Sequence, residues 1–128
     1  MMQTIKVTLK DNPYVIAIGH DMLGALPQCL KSLGLGKDAV IVSHSMIERL
    51  HGTKLAAGLR KAGYTVKFLN VPEGEKSKSA TCALRLIEQI AAYDVDKKIF
   101  IIALGGGVVG DLAGFAAASY LREAQRRA

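Results

Sequence analysis

Two stretches of this 128-residue chain combine residue types that can do chemistry with a spacing that matters. The first is Leu104-Gly105-Gly106-Gly107-Val108-Val109-Gly110-Asp111, which follows the apolar run Ile99–Leu104. A buried strand feeding glycines and then a helix lets the backbone turn sharply and approach a ligand closely. The unpaired N–H groups of the helix start, together with the positive end of its dipole, suit a phosphate or pyrophosphate. Gly105, Gly107 and Gly110 formally satisfy G-x-G-x-x-G. The dinucleotide fingerprint proper belongs in a first βα unit, with an acid about 20 residues on. Here the motif is the last in the chain, so that version is a poor match, and a tight packing turn is the competing reading.

The second stretch is Pro72-Glu73-Gly74-Glu75-Lys76-Ser77-Lys78. It leaves the C-terminal end of an expected strand, the side on which open α/β sheets bind ligands. Glu75 offers a bidentate acceptor for a ribose diol, and Lys78 a cation three residues on. Taken alone, a polar loop leading into a capped helix explains it equally well; two such loops at one sheet edge carry more weight together. Other chemistry is poorly represented. His20, His44 and His51 show no metal-ligand spacing, with His44 and His51 expected on one helix near the surface. Cys29 and Cys82 fall in helical patterns and are expected to be small buried residues rather than nucleophiles.

The elements that must position these loops follow from hydrophobic period. Residues 3–9 and 14–18 read as two strands joined by the turn Asp11-Asn12-Pro13. Asp21 is the expected N-cap of a helix from Met22 to about Leu33, stopped by Gly34 and Gly36. Ala39–Val42 is a short, wholly apolar strand of the kind buried on both faces of a parallel sheet. Ser43 or Ser45 is expected to cap a helix reaching about Ala62, and Tyr64–Val71 is the next strand. Ser77 or Ser79 then opens a helix to about Ala92, with Leu84, Ile87, Ile90 and Ala91 on one face. Ile99–Leu104 is a strand and Val108–Leu121 a small-residue helix. The alternation predicts an α/β domain: a Rossmann-like, mainly parallel sheet with helices on both faces. An N-terminal antiparallel hairpin is expected at one edge of it.

Composition excludes several classes. The charge of +6 comes from 17 Lys and Arg against 11 Asp and Glu. Part of it sits in the terminal Arg122-Glu123-Ala124-Gln125-Arg126-Arg127-Ala128, and the rest is scattered without interleaved aromatics. No nucleic-acid face is expected. Residues 99–121 are long and apolar enough to raise a membrane span. Three successive glycines weaken a helix by roughly 1 kcal/mol each relative to Ala, and Asp111 adds about 2.5–3.5 kcal/mol of insertion cost. A strand, turn and helix explain the run better, so no membrane association is expected. Two cysteines and an N-terminus without an apolar leader point to the reducing cytoplasm.

The ordered pair Pro72–Lys78 and Ala103–Arg122 (ALGGGVVGDLAGFAAASYLR) resembles the N-terminal domain of 3-dehydroquinate synthase, and the resemblance covers residues 1–122. It implies an enzyme of the shikimate pathway that uses NAD and a divalent metal, zinc or cobalt. Such an enzyme converts 3-deoxy-D-arabino-heptulosonate 7-phosphate into 3-dehydroquinate with release of phosphate, and works as a homodimer. It implies NAD contacts from Glu73, Gly74, Glu75, Lys76, Ser77 and Lys78, with Glu75 and Lys78 on the adenosine ribose side. Gly106, Gly107, Val108, Val109 and Gly110 are implied to cradle the pyrophosphate, with Asp111 nearby. Arg122 is implied to reach the substrate phosphate, from a partner subunit, with a guanidinium fork suited to two oxygens. His44 stands where the family often carries Asp or Asn near the adenosine. Residues 123–128 depart from the family pattern, and the family's metal ligands and substrate lysines belong to a C-terminal domain outside these 128 residues. On this reading the chain holds no catalytic or metal-ligating residue of its own and is inactive alone. The rival readings are part of an iron-type alcohol or glycerol dehydrogenase and a stand-alone nucleotide-binding module. Val108 and the lysine-free segment 112–121 count against the dehydrogenase.

Overall fold

The computed structural model describes residues 3–11, 13–74, 79–94 and 98–127, and side chains within these as far as residue 120. Its centre is a three-stranded parallel sheet in the order β4-β3-β5. Strand β3 (Asp38–Ser43) lies between β4 (Thr65–Asn70) and β5 (Ile99–Ala103). Ile41 pairs with Phe68 on one side and Ile102 on the other. The run from Ala39 to Val42 is wholly buried, as a strand with helices over both faces requires.

Alternation along β3 divides the core in two. Val40 and Val42 face Ala83, Leu86 and Ile90 of α4 (Ala80–Tyr93) and Val109, Leu112, Ala113 and Ala116 of α5 (Gly107–Arg127). Ala39 and Ile41 face Leu30 of α1 (Leu26–Leu33) and Leu55 and Leu59 of α3 (Thr53–Lys61). Tyr64 and Phe100 close that second cluster edge to face, with ring centroids 5.6 Å apart. The expected mainly parallel sheet with helices on both faces is therefore what forms. The long apolar run 99–121 also divides as expected, into β5, a turn and the start of α5. Among the described residues no helix is long and apolar enough to cross a membrane.

Several local expectations are corrected. Strands β1 (Gln3–Val7) and β2 (Tyr14–Ile18) form an antiparallel hairpin, but it is a separate two-stranded sheet rather than an added edge. Asn12 of its connecting turn lies outside the described residues. Asp21 caps nothing: it takes a left-handed φ of 53°, and a short 3₁₀ turn, Leu23–Ala25, precedes α1, which begins at Leu26 with Pro27 in its first turn. Proline's fixed φ suits the first helical turn. The helix expected to end near Ala62 is interrupted: α2 (Ser45–Ile47) passes through a π-helical turn, Glu48–Gly52, into α3. Neither Ser43 nor Ser45 caps it; His44 occupies the N-cap position without a side-chain bond.

Ser79 does cap α4, accepting from the Cys82 N–H at 3.2 Å, while Ser77 lies outside the described residues. The buried face of α4 is Ala83, Leu86 and Ile90, with Ile87 packed at its margin. Leu84, expected on that face, is exposed, because the stripe turns by one residue to meet α5. Cys29 is also exposed and Cys82 half-buried, since α1 buries only Leu30.

Candidate nucleotide-binding cleft

The two loops singled out above meet at one end of the sheet. All three parallel strands end there, at Ser43, Asn70 and Ala103. After β3 the chain passes through α2 to α3 on one face; after β5 it enters α5 on the other. Neighbouring strands whose following helices diverge to opposite faces leave a crevice between them, the usual ligand position in open α/β sheets. Here that crevice is a cleft of about 200 Å3 lined by His44, Pro72, Gly74, Gly106, Gly107, Val108 and Val109.

A buried hydroxyl holds the crevice together. Ser43 is fully buried at the end of β3, and its Oγ donates to the Leu104 carbonyl at 2.8 Å. Its own carbonyl accepts from the Val71 N–H at 2.8 Å, and the Leu104 N–H donates to the Val42 carbonyl at 2.9 Å. One residue thus ties the start of the Pro72 loop to the start of the glycine turn. In sequence Ser43 is a candidate cap at a strand end that the resemblance sets near the adenosine; its tie to Leu104 has one local signal, a lone polar residue ending an apolar strand.

The glycines differ in why they are glycine. A Cβ on Gly105 would meet Val109 Cγ2 at 2.9 Å and Val109 Cβ at 3.0 Å, and Val109 is buried. Gly105 is therefore required by packing. A Cβ on Gly106 or Gly107 would meet nothing within 4 Å, and neither has a left-handed φ. Packing and backbone strain leave these two unexplained, while both line the cleft. Space that a side chain would fill, beside a helix start, suits an anion approaching the backbone. The first intrahelical bond here runs from the Gly110 N–H to the Gly106 carbonyl, at 3.0 Å. The N–H groups of Gly107, Val108 and Val109 accordingly have no acceptor within the helix.

The remaining expected residues are spread around this centre. Glu73 lies on the far side of Pro72, in a larger cleft of about 430 Å3 shared with Asn70, Cys82 and Arg85. Asp111 is one turn into α5 and borders an apolar depression with Ser79, Ala83 and Phe115. Gly110 is exposed on the first turn of α5. Glu75, Lys76, Ser77 and Lys78 lie outside the described residues. Arg122 is fifteen residues along α5 from Gly107, about 22 Å at the rise of an α-helix, and its side chain lies outside the described ones. His44 lines the cleft, and its Nδ1 is buried without a hydrogen-bond partner.

Comparison with known proteins agrees with this architecture. Residues 68–126, which hold both loops, match the family described as 3-dehydroquinate synthase N-terminal. A 3-dehydroquinate synthase of Clostridium kluyveri is 35% identical over 121 residues, covering 94% of this chain and 34% of the relative. One from Salinibacter ruber is 41% identical over 117 residues, covering 91% and 31%. The chain thus spans about a third of the length of the curated relatives it matches. A solved 2-deoxy-scyllo-inosose synthase, complexed with carbaglucose-6-phosphate, NAD+ and Co2+, shares the fold with a TM-score of 0.79 at 23% identity. That likeness covers 94% of this chain and 33% of the other. Over nearly its whole length, this chain is similar to about a third of the length of 3-dehydroquinate synthases, and its residues 68–126 match that family's N-terminal model.

Proposed function

We propose that this chain is the NAD-binding part of a 3-dehydroquinate synthase, a carbon–oxygen lyase of the shikimate pathway. The observation that carries the reading is the crevice beyond β3 and β5, where Gly106 and Gly107 leave room that their own packing does not need. The curated relatives bear that enzyme's name. A protein of the same fold has been solved with NAD+.

On this reading the N–H groups of Gly107, Val108 and Val109 bind the pyrophosphate, with Gly106 and Gly110 keeping the approach open. Glu73, Gly74, Glu75, Lys76, Ser77 and Lys78 form the adenosine side, and Asp111 lies near the cofactor. NAD held by these residues would supply reversible hydride exchange with a substrate alcohol. The chain's own residues bind and orient that group, and exclude water from it with the apolar walls of Pro72, Val108 and Val109. Arg122 binds the phosphate of the sugar-phosphate substrate, in a site completed by a second copy of the chain. Among the described residues no group of three or more His, Cys, Asp or Glu is placed to hold a metal ion. On this reading the divalent metal and the reacting carbons belong to the two-thirds of the relatives' length that this chain does not span.

A chimera tests this. Residues 1–122, joined to the remaining two-thirds of the Salinibacter ruber relative, should release phosphate from 3-deoxy-D-arabino-heptulosonate 7-phosphate, dependent on NAD. A chimera that folds, fails to release phosphate and does not bind NAD overturns the reading. Turnover of simple alcohols with NAD in its place would move the chain to the dehydrogenases.

A further inference from the structure

α5 is held unevenly along its length. Its first half carries the buried contacts, from Val109, Leu112, Ala113 and Ala116. Beyond Ala116 come Ala117, Ala118 and Ser119, none of them buried and none with much side chain to bury. Tyr120 is the next group of any size. Its ring packs against the first core cluster. Its hydroxyl donates to the Asp94 carboxylate, 26 residues earlier in the chain at the end of α4.

Asp94 is well placed to hold that hydroxyl. It is the C-cap of α4, where its N–H donates to the Ile90 carbonyl at 2.9 Å. A carboxylate carries the wrong charge for stabilising this helix end, because the negative end of a helix dipole favours a cation. The last turn of α4 has no basic residue to offset it. The Tyr120 hydroxyl supplies a donor to this acceptor, and bonds to an ionised acceptor are among the stronger ones.

Two residues after Tyr120 comes Arg122, still within α5. Successive helix residues lie about 100° apart. With Tyr120 on the face toward α4, position 122 falls on the face turned away from α4 and from the core. The rotation of α5 about its own axis thus decides where position 122 faces, and Tyr120 is the nearest described residue that fixes that rotation.

We infer that the Tyr120–Asp94 bond positions Arg122 for the phosphate of the sugar-phosphate substrate. Tyr120 and Asp94 are positioning residues, and neither touches the substrate. The inference rests on the proposed function, which gives Arg122 that phosphate, and adds the pair through which its place is set. A guanidinium fork gains two parallel bonds only when it is aligned with the phosphate oxygens. A helix end free to twist or fray loses that alignment.

The test combines amide hydrogen exchange in the 128-residue chain with steady-state kinetics in the chimera described above. Tyr120→Phe keeps the ring and removes the donor, and Asp94→Ala removes the acceptor. Amides of residues 117–122 should exchange about twofold to tenfold faster in either variant, the effect of one net hydrogen bond. In the chimera, KM for 3-deoxy-D-arabino-heptulosonate 7-phosphate should rise by a similar factor, with kcat and NAD affinity changed by less than about twofold. The two substitutions together should do no more than either alone. In an Arg122→Ala background, Tyr120→Phe should raise KM no further, a result that a merely structural role does not produce. Unchanged exchange or unchanged KM in both single variants overturns the inference and leaves the NAD reading intact, as does a KM rise that persists in full without Arg122. An Arg122→Ala chimera with unaltered KM overturns the assignment of Arg122 and this inference with it. A chimera that neither binds NAD nor releases phosphate overturns the proposed function, and the inference falls with it.

Discussion

Removing the Ser43 hydroxyl should loosen the whole crevice from a single atom. In Ser43→Ala the Leu104 carbonyl loses the donor now 2.8 Å away. Ser43 is fully buried while the bond to Leu104 is part-buried, so water replaces the donor only in part. An acceptor stranded in this way costs about 1–3 kcal/mol, while alanine relieves part of the cost of burying the hydroxyl. The net expectation is a destabilisation of about 1–2 kcal/mol. With a urea dependence of about 1–3 kcal/mol/M for a domain of this size, the midpoint falls by roughly 0.3–2 M. Urea denaturation followed by circular dichroism measures this. Ser32→Ala is the control, because Ser32 Oγ donates to the Cys29 carbonyl at 2.7 Å on the exposed surface. A bond water can replace should cost less than about 0.5 kcal/mol. Since Ser43 spans 61 residues of sequence to reach Leu104, its loss should also weaken ADP binding. Equal midpoints for Ser43→Ala and Ser32→Ala, with ADP affinity unchanged, would refute the positioning role.

The other predictions separate packing from binding. Gly105→Ala drives a Cβ into Val109 and should destabilise by about 1–3 kcal/mol; an unchanged urea midpoint would contradict the packing account. Leu59→Ala, at a fully buried position of the second core cluster, should cost about 2–5 kcal/mol, read from the same denaturation curves. Asp38 joins the other end of the sheet, accepting from Thr65 Oγ1 at 2.6 Å and the Lys98 N–H at 3.0 Å. Because both bonds are exposed, Asp38→Ala should cost no more than about 1 kcal/mol. Cys29 should react with an alkylating reagent well before Cys82, as mass spectrometry of a time course would show, because only Cys29 is exposed.

The parts of the fold that could be read from sequence were those where local pattern and burial agree. Ala39–Val42 has no polar position to turn outward, so only a doubly covered strand fits it. The three glycines break the following apolar run wherever it is placed. Burial settled by distant residues was harder to read. Leu84 and Leu86 look alike in sequence; the position of α5 decides that Leu86 is buried and Leu84 exposed. Cys29 fits a helical pattern, yet Leu30 is the one buried residue of α1, with Leu26 packed at the cluster's margin. The hairpin was legible as a pair of strands, but whether it joins the main sheet depends on hydrogen bonds that its own sequence does not encode.

The candidate site divides the same way. The glycine turn was found as a motif, but its division into a packing glycine and two cleft glycines needed the positions of Val109 and of empty space. Ser43 read as a cap, and His44 as a surface histidine that the family resemblance sets near the adenosine. What the structure adds is their placement beside β5 and the glycine turn, some sixty residues later in the chain.

The central claim is that the cleft at the ends of β3 and β5 binds a dinucleotide through the glycine turn. Calorimetric titration of NAD into the chain tests it most directly, with Gly107→Val run in parallel. Gly107 has open space in the structure, so the variant should fold with a urea midpoint near that of the unsubstituted chain while its side chain fills the cleft. The account predicts one NAD bound per chain, and at least tenfold weaker binding in Gly107→Val at undiminished stability. Equal NAD binding by both proteins would contradict it, as would no binding by either this chain or the chimera that completes it.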